Sequence, residues 1–264
     1  MSPEPTGQAG TFTPRPGAAP LPRMVLAQAR METRLLLRNG EQLLLAVVVP
    51  LIVLVGGITA ARHFGLTFSH SPVDTLTPGV LALAVMSTSF TSLAITTGFE
   101  RRYGLLKRLG ASPLPRTGLL AGKVLALLLV EVMQAVVIGG TALALGWSPG
   151  GGILGFALAL VGALLGTVAF ASLGLALAGT LRAEATLAAA NLVYLLLLTG
   201  GGVVLPRSSY GAAGGLLQLL PSAALGDVLR AALIDGSADG TGLLVLLVWA
   251  VVGSALAARF FTWE

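Results

Sequence analysis

Few residues in this 264-residue chain are of the types that do chemistry. There is no cysteine, which excludes disulfides, thiol nucleophiles and zinc–thiolate sites. The two histidines, His63 and His70, share one loop and are too few for a buried metal cluster. No HExxH or paired-carboxylate pattern occurs. Gly118, Gly122 and Lys123 resemble a phosphate-binding loop only superficially. Three residues separate the glycines, whereas such a loop has four, and Val124 stands where Ser or Thr would hold magnesium. ATP binding and hydrolysis are therefore not expected of this chain, and no cofactor is expected on it. What remains is a small set of polar residues inside apolar runs, chiefly Glu131, Gln134 and Asn191, and a dense basic stretch, Phe99 to Arg116.

Elements that cross a membrane must position these groups. The chain is 55% hydrophobic and 10% charged, with mean hydropathy +0.89; a soluble domain carries about 25% charged residues. The apolar residues come in runs close to the roughly 20 residues a spanning helix needs. Six spans are expected: 43–61, 79–98, 119–145, 152–180, 187–205 and 242–258. Pro50 is expected to kink the first. The fold class is thus an all-α polytopic membrane protein with six transmembrane helices. The net charge of +5 reflects basic residues between spans rather than nucleic-acid binding.

Residues 1–22, rich in Pro, Gly, Ala and Thr, are expected to be a disordered N-terminal tail, and they lack the apolar core of a signal peptide. One transmembrane domain, 23–264, follows. Arg30, Arg34 and Arg38 recur every fourth residue, which predicts an N-terminal interfacial helix on the inner leaflet. The second span holds Ser87, Thr88, Ser89, Thr91 and Ser92, which either pack helices together or face a substrate path. Lys123 is expected to snorkel to the inner surface. Glu131, about 18 Å beyond Leu119 at 1.5 Å per residue, cannot do so. Glu131, Gln134 on the same face, and Asn191 either bond to neighbouring helices or line the translocation path. Gly162 and Gly166 form a GxxxG pattern that permits close helix contact. Beyond Pro206 the pattern breaks into two short helices, 216–220 and 222–233, with Asp227 and Arg230 spaced to pair. Trp263 is expected to anchor the C-terminal end at the interface.

The basic stretch packs Arg101, Arg102, Lys107 and Arg108 between two spans. Read as one helix, it places Phe99, Tyr103 and Leu106 on one face, with Arg101 and Arg108 opposite. Across the chain, the basic residues gather on the side of this stretch and of both termini. Only Arg62, Arg207 and Arg230 fall on the other side. The positive-inside rule then places both termini and the stretch in the cytoplasm. The heavy use of Arg over Lys, with Ala, Gly and Leu abundant, suits a bacterial plasma membrane.

Glu100, Arg101, Arg102, Gly104, Leu106, Lys107, Arg108, Leu109, Ala111, Ser112, Pro113 and Leu114 together resemble the cytoplasmic segment of type-2 ATP-binding-cassette (ABC) exporter permeases. Residues 191–206, ending in a Gly-rich turn and Pro, resemble that family's fifth span. Leu220, Pro221 and Ser222 through Arg230 resemble its short external half-helices. The resemblance implies a permease subunit that moves a drug-, antibiotic- or lipid-like amphipathic substrate outward. It implies a second permease chain, which could be a copy of this one or a different one, and two separate ABC ATPase subunits that carry ATP and magnesium. Glu100, Arg101, Arg102, Gly104, Leu106, Lys107 and Arg108 would form the coupling helix, and reversing Arg101 and Arg102 would uncouple an inserted protein. Two other classes compete: a non-transporting membrane anchor or sensor that recruits a cytoplasmic partner, and a membrane enzyme or ion-coupled carrier centred on Glu131. The last would need more intramembrane ionisable groups than one.

Overall fold

The computed structural model describes residues 19–65, 68–110 and 114–260, and among these it is helical with no strand. Most of the tail, Ala111 to Pro113 and Trp263 lie outside the described residues. Helix α1 (Leu21–Arg38) begins with Pro22 in its first turn, two residues before the boundary expected at Arg23. It is followed by α2 (Gly40–His63), which runs on through Pro50. Six helical segments are long and apolar enough to cross a membrane.

The second of them is the axis of the bundle. It comprises α3 (Pro72–Met86), a π-helical segment (Ser87–Ser92) and α4 (Leu93–Arg102) in one continuous run. It is 67% buried, against 17–39% for the other five, so it is the element the rest packs around. Ser71 caps its start by accepting the Asp74 N–H at 3.1 Å. The span is longer at both ends than its apolar run suggests, because Thr75, Thr77 and Glu100 are buried by neighbouring helices rather than by lipid.

The chain then turns through α5 (Leu105–Gly110) into α6 (Arg116–Ala144), α7 (Gly152–Thr180) and α8 (Ala183–Gly200). The fifth span stops at Gly200, short of the expected Leu205. Residues 201–205 are bends, and the carbonyls of Val203 and Val204 accept hydrogen bonds from Arg230 at 2.7 and 2.6 Å instead of continuing a helix. After a 3-10 turn (Arg207–Ala213) and α9 (Gly214–Leu217) comes α10 (Pro221–Arg230), then a π turn (Ala231–Asp235) and α11 (Gly240–Phe260).

Helix α10 is sunk into the bundle between α3, α7 and α11, with every residue but Asp227 buried. The glycine pattern of α7 makes room for it. A Cβ at Gly162 would lie 2.4 Å from Val228, and one at Gly166 2.8 Å from Leu225. The GxxxG face therefore packs within the chain. The Leu219 carbonyl, just before α10, accepts the Trp249 indole N–H at 2.8 Å, and Trp249 is near the middle of α11. The half-helix thus reaches roughly the mid-depth of the bundle.

Candidate functional site

Glu131 of α6 is 8% exposed and its Oε2 lies 2.7 Å from the Thr167 hydroxyl of α7. Its Oε1 is buried without a partner among the described residues. Gln134 is 1% exposed and fully engaged. Its Oε1 accepts the Thr88 hydroxyl at 2.9 Å, and its Nε2 donates to the Ala46 carbonyl at 2.7 Å. Ala46 is four residues before Pro50, so its carbonyl is the one a proline leaves without an N–H inside α2. Gln134 supplies the missing donor. Although Glu131 and Gln134 are three residues apart on α6, one side chain turns to α7 and the other to α2 and the π-helical segment.

Asn191 differs from both. It is exposed on α8, and its side chain makes no hydrogen bond among the described residues. Eight residues on from Ala183, it is about 12 Å up the helix, near the middle of the span. Leu187 and Leu195, one turn before and after it on the same face, are 40% and 54% exposed.

The basic stretch is not one helix. Helix α4 ends at Arg102, Tyr103 closes it with its N–H on Phe99 O, and Gly104 takes a left-handed φ of +68°. That is the ordinary glycine stop just past a helix C-terminus. The expected single face of Phe99, Tyr103 and Leu106 is therefore broken at Gly104. Phe99 and Tyr103 still stack at 6.3 Å between ring centroids, whereas the Leu106 side chain is outside what the structure describes.

The four cations divide accordingly. Arg101 is half-buried and donates to the carbonyls of Gly179 and Leu181 at the end of α7. A guanidinium there satisfies orphan carbonyls and meets the negative end of the helix dipole. Arg102 pairs with Glu184 in the first turn of α8 and lies over the Tyr103 ring, all in the open. These two arginines, with Gly98, Arg182 and Ala183, line an open cleft of about 450 Å³. Lys107 and Arg108, on α5, are exposed and make no ion pair among the described residues.

Glu100 points inward. It is 8% exposed, and Lys123 donates to its Oε1 at 2.8 Å. Lys123 is 4% exposed, so it does not snorkel: the carboxylates of Glu100 and Glu32 hold its ammonium inside. The expectation for Lys123 failed because its partners sit on two other elements, α4 and α1, and are invisible from its own span. One signal for Glu32 was available. It is the single acid of α1 and lies off the arginine stripe.

On another flank, an apolar groove of about 430 Å³ opens between α7, α8 and α11, lined by Phe90, Leu177, Val193, Leu197, Pro221 and Trp249 among others. At the end opposite the basic stretch, Asp227 pairs with Arg230 at 3.2 Å, as the i,i+3 spacing predicts, and also with Arg207. Arg230 was legible as a partner for Asp227. Its hold on the Val203 and Val204 carbonyls was not, since the glycines at 200–202 mark the break but nothing in the sequence joins the carbonyls beyond it to a side chain on α10.

No curated protein matches the chain. The family model of the ABC-2 type transporter matches residues 23–234, from α1 to the π turn before α11. The helix outside that match, α11, packs along α7 as part of the same bundle. With six apolar spans and a match over most of its length, the chain belongs to the ABC-2 type transporter family, the membrane-spanning permeases of ABC transporters.

Proposed function

We propose that this permease is the membrane half of an ATP-driven exporter and that α5 is the element a cytoplasmic ABC ATPase grips. The observation that carries this reading is the division of the basic stretch. Arg101 and Arg102 bind α4 to α7 and α8, while Lys107 and Arg108 project from a six-residue helix just beyond. A force applied to α5 then passes through a braced α4 into the π-helical segment and the axis of the bundle. A rigid lever of this kind biases a two-state membrane element. The two ATPase subunits would carry ATP and magnesium.

Asn191 supports a second permease chain. An amide at mid-span that meets only lipid costs several kcal/mol, roughly 2–7 on transfer scales. A matching α8 face from another copy would pair it and cover the surrounding leucines. The groove beside Phe90 and Trp249 is apolar and open at membrane depth, which suits an amphipathic substrate that enters from the bilayer. The charge asymmetry supports cytoplasmic termini, and the preference for Arg over Lys, with abundant Ala, Gly and Leu, supports a bacterial plasma membrane. A cysteine at Ser209 then reacts with an impermeant reagent in intact cells, and one at Ser112 does not. The direct test of the coupling reading is a photo-crosslinking residue at Lys107, with Ser209 as the control position. An ABC ATPase is captured from Lys107 alone. Capture from neither position, with the chain correctly inserted, removes the coupling role and leaves an anchor or sensor that recruits some other partner.

A further inference from the structure

A buried ion cluster that this coupling scheme does not use joins three elements near the basic end of the bundle. Lys123 of α6 lies 2.9 Å from Glu32 of α1 and 2.7 Å from Glu100 of α4. Gln28, one turn before Glu32, donates to it at 2.8 Å. The Gln28 side chain also lies against Gly122, where a Cβ would come within 2.6 Å, so α1 is laid closely on α6. One face of α1 is thus committed to the bundle.

The opposite face is not. At 100° per residue, Arg23, Arg30, Arg34 and Arg38 fall on the side of α1 away from Gln28 and Glu32, and all four are exposed. Leu26 and Leu37 flank this strip on one side, Met31 and Leu35 on the other, each exposed by 39–66%. A basic strip between two apolar margins matches an anionic lipid surface. The arginines meet the headgroups and the leucines enter the boundary below them.

We propose that α1 is an anionic-lipid-binding helix, and that the Glu32–Lys123–Glu100 cluster transmits its seating to the α4–α5 segment. This rests on the coupling role of α5 for its functional meaning, but not for its physical content. Withdrawing Glu32 or Glu100 from Lys123 leaves buried charge without compensation. Helices α1 and α4 therefore move together around Lys123. A leaflet rich in anionic lipid holds α1 down and keeps the end of α4 in one position; a neutral leaflet lets both wander. The lipid acts only through its stronger binding to the seated state, as any two-state bias requires.

The test uses the full chain, which has no native cysteine, in nanodiscs of phosphatidylcholine with or without phosphatidylglycerol. Nitroxide labels at Ala27 on α1 and at Tyr103 after α4, both exposed, report the mobility of α1 and the distance between the two elements. Phosphatidylglycerol immobilises the Ala27 label and narrows the Ala27–Tyr103 distance distribution. In R30Q/R34Q/R38Q that response is lost: each arginine near an anionic surface contributes roughly fivefold, three together on the order of a hundredfold. In E32Q the Ala27 label still responds, but the distance distribution stays broad; E100Q breaks the same link from the α4 side should E32Q not fold. An Ala27 label that ignores phosphatidylglycerol, or follows it equally in the triple variant, overturns lipid binding. Narrowing in E32Q and E100Q as in the unaltered chain overturns the transmission. No ATPase is present in these measurements, so they stand or fall apart from the coupling role of α5.

Discussion

The last turn of α4 and the whole of α5 carry two cations each, within eight residues of sequence, and they use them in opposite ways. Arg101 and Arg102 are taken up within the chain, one by the carbonyls that end α7, the other by Glu184. Lys107 and Arg108 have no such engagement among the described residues. The glycine between them, Gly104, marks where bracing stops and the outward-facing element starts. The same contrast recurs at mid-membrane, where Gln134 is saturated by Thr88 and Ala46 while Asn191 faces out of the bundle. Residue type does not separate an internal brace from a side chain left facing outward. What separates them is whether the neighbouring helix end presents a group to bind.

Substitutions at four positions test this contrast. The largest effect is expected at Arg101. In Arg101→Leu the Gly179 and Leu181 carbonyls lose their charged donor, at about 1.5–3 kcal/mol for a hydrogen bond of this kind, and the variant unfolds at a lower SDS fraction. Charge reversal at Arg101 is thus expected to damage folding before it reveals anything about coupling, unlike the simple uncoupling that an exposed arginine would give. Next is Gln134→Leu, which strands the Ala46 carbonyl freed by Pro50 and costs about 1–3 kcal/mol in the same assay. A Pro50→Ala change in that background restores an N–H to α2 and recovers part of the loss. Absence of recovery would show that the link between Pro50 and Gln134 is incidental.

Glu131 should show a smaller effect. Glu131→Gln keeps a partner for Thr167 and leaves stability within about 0.5 kcal/mol, whereas Glu131→Leu costs on the order of 1 kcal/mol, typical of an interhelical hydrogen bond in a membrane. If Glu131→Gln is stable and bound to its ATPase yet moves a different set of substrates, the carboxylate lines the path. At Asn191 no effect on the stability of the single chain is expected beyond the roughly 0.5 kcal/mol of a surface change. Asn191→Leu instead weakens association of two chains, read as a lower dimer fraction by subunit energy transfer in liposomes. An unchanged dimer fraction would send Asn191 to the translocation path or to lipid.

The spans and the break between Gly200 and Pro206 were legible because each leaves a one-dimensional trace: an apolar run, a glycine cluster, a proline. The Asp227–Arg230 pair was legible because both ends lie on one helix. Lys123 was misread for the converse reason. Its own surroundings suggest a snorkelling lysine, and only the meeting of α1, α4 and α6 supplies Glu32 and Glu100. Gln134 followed the same pattern, since Pro50 and Gln134 each stand out in the sequence but nothing there joins the Ala46 carbonyl to a side chain 88 residues away. The burial of α10 was hidden too, because its composition suits an external half-helix as well as one inserted beside Gly162 and Gly166.

If α5 meets the ATPase while the end of α4 serves the fold, the double reversal K107E/R108E separates the two roles. The variant is purified beside the unaltered chain, and three quantities are compared: its SDS unfolding midpoint, the amount of ABC ATPase that copurifies, and substrate-stimulated ATP hydrolysis in liposomes. The midpoint is expected to stay unchanged while most of the bound ATPase and of the stimulation is lost, because exposed charges at a docking face matter to association rather than to the monomer. A variant that binds and stimulates the ATPase as well as the unaltered chain would contradict this division of roles, and would leave the basic residues of α5 with a topological role alone.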